Sequence, residues 1–103
     1  MNKVYKYRLP HVGGNEARLR APMGFKPLYI AAQLREGRDV PMLWGIVDED
    51  AVKWEQFEWW VIRSVHTGVA LGDECTPDRY LGTALLGPGG VHVTHYFGWR
   101  DTV

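Results

Sequence analysis

Apolar and polar residues alternate with a period of two along most of this chain, the signature of β-strands half-buried in a sheet. Tyr5, Tyr7 and Leu9 alternate with Lys6 and Arg8, which predicts a first strand ending at Pro10, where a ladder donor is lost. His11 to Asn15 carries the residues of a turn. Ala17, Leu19 and Ala21 then alternate with Arg18 and Arg20 in a second strand, and Pro22-Met23-Gly24 reads as the turn of a hairpin. A third strand follows, with Leu28, Ile30, Ala32 and Leu34 as its buried face and Tyr29, Gln33 and Arg35 opposite, until Glu36-Gly37-Arg38-Asp39 breaks it.

Two strands depart from simple alternation. In the fourth, Met42, Trp44 and Ile46 lie on one side and Leu43 and Val47 on the other, with Trp44 expected in the core. In the fifth, from about Phe57 to Val65, Phe57, Trp59 and Val61 point one way and Trp60 and Ile62 the other. A strand that is apolar on both faces is central in its sheet. Its second face must be covered by a second layer, a partner subunit or a ligand. Between these strands, Asp48 to Lys53 leaves room for a single helical turn, and His66 to Asp78, with Gly68, Gly72 and Pro77, is the longest loop. Tyr80 to Leu86 is a short sixth strand. Gly87-Pro88-Gly89-Gly90 connects it to a seventh, in which Val91, Val93, His95, Phe97 and Trp99 alternate with His92, Thr94 and Tyr96. Short strands punctuated by turns predict an all-β fold: a small antiparallel β-sandwich or barrel of about seven strands, in a single domain over residues 1–103.

Composition narrows the function classes. The apolar fraction of 46% and charged fraction of 23% are those of a chain that folds around a core. Twelve Lys and Arg balance twelve Asp and Glu, so no net charge draws the chain towards phosphate backbones, and a nucleic-acid partner is not expected beyond local patches such as Arg18 and Arg20. Cys75 is the only cysteine, which excludes an intrachain disulfide and any multi-cysteine zinc site. No secretory signal opens the chain, and no apolar run approaches the roughly 18 residues of a membrane span. The expectation is a soluble protein of the cytoplasm, that of a bacterial host in the setting named below.

The candidate chemistry is sparse. His92 and His95 are three apart on a strand, hence on opposite faces, and cannot share a metal ion; His95 is expected as a hydrogen-bonded core residue and His92 as exposed. Asp48-Glu49-Asp50 lacks the alternating spacing of a calcium loop, and the glycines at 87–90 lack the lysine and helix of a phosphate loop. Ser64 and His66 share a face without an orienting acid. Cys75 beside Asp73 and Glu74 has the wrong electrostatics for a reactive thiolate. No catalytic residue, metal or cofactor is therefore assigned. What remains is a composite around the tryptophan-rich strand: Trp54, Trp60, Arg63, His66, Thr67 and Arg79, residues that build either a ligand site or an oligomer interface. Self-association is the favoured use.

The phrases Val4-Tyr5-Lys6-Tyr7-Arg8-Leu9, Pro22-Met23-Gly24-Phe25-Lys26-Pro27-Leu28, Leu43-Trp44-Gly45-Ile46-Val47-Asp48, His66-Thr67-Gly68, Tyr80-Leu81-Gly82-Thr83 and His95-Tyr96-Phe97, in this order, resemble a family of small uncharacterised domains encoded mainly by bacteriophages and prophages. The resemblance spans nearly the whole chain. It departs at Val69-Ala70, where members of that family commonly carry His-Pro after the threonine-glycine turn. It implies a phage setting and a compact fold, and no reaction. In that setting the expected function is a homo-oligomeric accessory or counter-defence factor, acting stoichiometrically on a nucleotide signal or a host protein. The alternatives are a small nucleotide hydrolase or nuclease using His66 with Asp48 or Glu49, and a structural or assembly component of the virion.

Overall fold

A computed structural model describes residues 1–9 and 15–101 of the chain. Seven strands make up the fold: β1 (Asn2–Arg8), β2 (Glu16–Pro22), β3 (Lys26–Arg35), β4 (Arg38–Asp48), β5 (Phe57–His66), β6 (Tyr80–Leu86) and β7 (His92–Arg100). They form two antiparallel sheets, ordered β1-β4-β3 and β2-β5-β7-β6. The all-β class and the number of strands follow the period-two reading. The doubly apolar strands β4 and β5 are central, as expected. Asp48 to Lys53 is a non-helical turn, with the Val52 amide donating to the Asp48 carbonyl at 2.9 Å, and short 3-10 helices lie instead at Pro77–Arg79 and Pro88–Gly90. The turn expected from His11 to Asn15 lies, except for Asn15, outside the described residues.

Pairing departs from the expected hairpin. Pro22-Met23-Gly24 is a turn, with the Phe25 amide donating to the Pro22 carbonyl at 3.1 Å, but β2 pairs with β5 and β3 with β4. The turn therefore carries the chain across from one sheet to the other. The β3–β4 connection is a tight hairpin instead, with Glu36 and Gly37 both at positive φ (52° and 74°), the conformation of a two-residue turn whose twist matches the strands.

The inner faces enclose the core. Leu9, Leu19, Ala21, Phe25, Ile30, Leu43, Val47, Ile62, Leu81, Ala84 and Tyr96 are buried together, and the Phe25 ring sits edge-on to Tyr7 of one sheet and Trp60 of the other. Of the expected buried face of β3, only Ile30 and Ala32 join the core. Leu28 falls at a register shift between Pro27 and Tyr29 and is exposed, and Leu34 stands out in the hairpin end. Trp44 is not a core residue either. Leu43 and Val47 face inwards, and Trp44 lies half-buried on the outer face, stacked on Tyr29 with ring centroids 5.2 Å apart. At one corner β3 and β6 meet backbone to backbone: a Cβ at Gly82 would lie 2.3 Å from the Ile30 carbonyl oxygen.

The second apolar face of β5 is partly covered from within the chain. The loop after it folds back so that Cys75 is buried with Val65 and Phe97, and Trp99 packs alongside. At the other end of β5, Phe57 and Trp59 remain 41% and 49% exposed.

Candidate functional site

The outer face of β2-β5-β7-β6 gathers most of the chain's unusual side chains. Strand parity and register place Arg18 opposite Val61, Val61 opposite Trp99, and Glu16 opposite Arg63, all pointing outwards. Arg63 donates from Nη2 to Glu16 at 2.7 Å, and Nη1 lies 3.7 Å from Glu74. The hydrogen bond to Glu16, reinforced by the charge of that carboxylate, holds the guanidinium further above its already high ordinary pKa. Trp99 lies between two arginines, with the Arg63 and Arg79 guanidinium carbons 5.6 and 5.3 Å from its ring centroid. Arg79 also donates to the Glu74 carbonyl at 3.1 Å, which ties the loop to this cluster. Further along, Arg20 stacks over Phe57 at 3.8 Å, and Arg18 forms an ion pair with Asp101.

Of the composite expected from the sequence, the structure brings Arg63 and Arg79 together, with Trp99 as the aromatic between them. His66 shares a small hollow with Arg63, and Trp54, Trp60 and Thr67 are placed elsewhere. Trp60 is on the inner face of β5, against Phe25, its indole N–H donating to Glu58 at 3.3 Å. Trp54 leans on Tyr5 at 5.8 Å, beside the other sheet. His66 is exposed at the end of β5, and its ring Nδ1 lies 3.5 Å from the Thr94 hydroxyl. Asp48 is engaged with the Met1 amino group and Glu49 with Lys3, and the hydrogen bond from the Met1 ammonium holds the Asp48 carboxyl below its ordinary pKa. The acids of the hydrolytic alternative are thus held in ion pairs at the end of β4, and His66 ends a strand of the other sheet.

A hydrogen-bonded chain runs across β6 and β7 beneath the long loop. Thr67 Oγ1 lies 2.7 Å from His95 Nε2, His95 Nδ1 lies 2.9 Å from Thr83 Oγ1, and Thr83 Oγ1 also meets the Tyr80 hydroxyl. His95 is hydrogen-bonded as expected, but it lies on the outer face and not in the core, because Thr94 and Tyr96 take the inward positions of β7. Each of its ring nitrogens is engaged by a hydroxyl, so the imidazole pins Thr67, at the start of the loop, to the sheet. Three of the phrases on which the family resemblance rests meet here. Thr83 and Tyr80 carried no sign of this in one dimension, since their alternation reads as ordinary strand.

Two hollows flank the loop. A small one of about 120 Å³ is lined by Asn15, Arg63, Ser64, His66, Gly72 and Cys75 among others. A shallower apolar one of about 350 Å³ lies between Leu71, Cys75, Pro77, Tyr80 and Phe97. Among the described residues, no three His, Cys, Asp or Glu side chains gather as a metal site requires, and no helix is long and apolar enough to cross a membrane.

No curated protein and no solved structure matches the chain. A family model, described as a domain of unknown function (DUF7352), matches residues 1–102. Both sheets and the loop between β5 and β6 fall inside that match, and the chain belongs to the DUF7352 family.

Proposed function

We propose that the protein is a stoichiometric binding domain, assembled as a homo-oligomer through the outer face of β2-β5-β7-β6 and serving as an accessory or counter-defence factor in a phage setting. The observation that carries this reading is the exposure of Trp59 and Phe57 on a face where Arg18 and Arg63 already hold carboxylate partners. Burying such a face removes two large aromatic surfaces from water and leaves few charges to be newly paired. Tryptophan and arginine are also the residue types that dominate interface energetics. The phage setting rests on the sequence resemblance alone. The target of the assembled domain, a nucleotide signal or a host protein, is separated by titrating cyclic and linear nucleotides into the protein and by affinity capture from host extract.

Native mass spectrometry of freshly purified protein tests the assembly. The expected result is a dimer or larger at micromolar concentration, converted to folded monomer by Trp59→Asp. A strictly monomeric wild-type mass with no ligand retained contradicts the proposal.

A further inference from the structure

The opposite outer surface, that of β1-β4-β3, has a different character, which the balanced net charge conceals. Register sets Lys6, Trp44 and Tyr29 in one cross-strand row of that face, and Arg8, Met42 and Ala31 in the next. Lys26 pairs with Ile46 at one end, and Arg35 pairs with Arg38 at the other. Lys6, Arg8, Lys26, Arg35 and Arg38 are all exposed. None of them makes an ion pair among the described residues: the salt bridges involve Met1, Lys3, Arg18, Arg63 and Arg100. The only carboxylate at an outward position of these strands is Asp48, at the far end of β4, already bound to the Met1 amino group.

Two further details mark the face. Arg35 and Arg38 stand directly across from each other, a like-charge pair that destabilises a sheet unless an anion lies against it. Lys6 reaches across β4 to donate to Gln33 Oε1 at 3.0 Å, and Met42 beneath that span is only 4% exposed, so the alkyl stem roofs the apolar centre and leaves the ammonium at the surface. In the middle of these cations lies the Tyr29–Trp44 stack, its planes 9° apart, with Tyr29 48% exposed.

We infer that the outer face of β1-β4-β3 binds single-stranded nucleic acid, with Lys6, Arg8, Lys26, Arg35 and Arg38 meeting the phosphates and the Tyr29–Trp44 pair offering a stacking surface to a base. Unpaired cations around an aromatic platform on an open sheet are what a flexible polyanion with exposed bases requires. A duplex keeps its bases stacked inside and would leave the aromatic pair unused. An anionic membrane would use the charges but not the flat stack. This binding face is separate from the proposed self-association face and stands whether or not the chain oligomerises.

The test is fluorescence anisotropy of a labelled oligothymidylate of about 12 nucleotides, a length within the range of single-strand site sizes. If the cations meet five phosphates, affinity should fall about a hundredfold between 50 and 200 mM salt, with a logarithmic slope near −3.5. The double variant Arg8→Glu/Arg35→Glu should flatten that slope by roughly 1.4, and Tyr29→Ala should weaken binding about tenfold or more. Lys53→Glu, in the exposed turn before β5, should change neither. Circular dichroism checks that each variant is folded. The inference is overturned if the oligonucleotide fails to bind at 50 mM salt, if a duplex of equal length binds as tightly, if phosphatidylserine vesicles bind and the oligonucleotide does not, or if folded Arg8→Glu/Arg35→Glu binds like wild type.

Discussion

The two outer faces of this domain are both rich in arginine and aromatic residues, yet they solve their electrostatics in opposite ways. On β2-β5-β7-β6 Arg63 is matched by Glu16 and Glu74 and Arg18 by Asp101, Arg79 and Arg20 lie against the rings of Trp99 and Phe57, and Trp59 is left half-exposed. On β1-β4-β3 the aromatic pair is stacked on itself, and Lys6, Arg8, Lys26, Arg35 and Arg38 form no ion pair among the described residues. A face with paired charges and bare rings gains most from another apolar surface. A face with bare charges gains most from a polyanion. Both faces carry arginines beside aromatic rings, and the placement of acidic residues decides the difference.

The contrast depends on two sheets held back to back, so the largest effect is expected where they touch. Gly82→Ala would push a Cβ into the Ile30 carbonyl at a backbone φ of 146°, which favours glycine, and should cost about 2–6 kcal/mol or prevent folding. Near-native stability in a denaturant titration would mean that β3 and β6 do not meet as described. Next come neighbours on opposite sides of β4. Leu43→Ala should cost about 2–5 kcal/mol because Leu43 is fully buried. Trp44→Ala should cost only about 1–2 kcal/mol, because it loses a half-exposed stack and leaves no sealed cavity. Equal losses would place Trp44 in the core after all.

The adjacent tryptophans of β5 sharpen the comparison further. Trp60→Asp buries a charge beside Phe25 and should unfold the protein, whereas Trp59→Asp should leave the circular dichroism spectrum intact and lower the oligomeric mass. The reverse pattern would exchange the inner and outer faces of that strand. The smallest effect is electrostatic and belongs to neither face. Burial pushes the Tyr96 phenol above its ordinary value of 10.0, so the folded state holds that proton more tightly than the unfolded state. Its stabilising contribution is complete below pH 10 and is lost as pH rises through the higher folded value. Tyr96→Phe should therefore lose thermal stability less steeply than wild type above pH 10, a difference that melting curves at pH 9 and 11 would detect.

Strand positions were legible in the sequence because side-chain alternation is a local property and glycine and proline mark where it stops. Pairing was not, because period two says nothing about which strand lies alongside. Pro22-Met23-Gly24 has the same turn chemistry whether it closes a hairpin or, as here, crosses between sheets. Nor does alternation say which side of a doubly apolar strand is inside, and so Trp44 was expected in the core. The candidate site was partly legible. Arg63 and Arg79 do meet, but Trp60 is three residues from Arg63 on one strand, and the parity that separates His92 from His95 separates these two as well. The basic face of β1-β4-β3 was hidden for another reason. A net charge of zero averages over both faces, and only the register shows that the acids are elsewhere.

The most direct test of the contrast uses the tryptophans as reporters, since Trp44 and Trp59 stand on opposite outer faces. Their indole N–H signals in a ¹⁵N-labelled sample can be followed by NMR while oligothymidylate is added, and separately while the protein is diluted. The expected result is that the Trp44 signal moves with oligonucleotide and the Trp59 signal with dilution, each indifferent to the other titration. Movement of both signals together in either experiment, or the opposite assignment, would contradict the division of labour between the two faces.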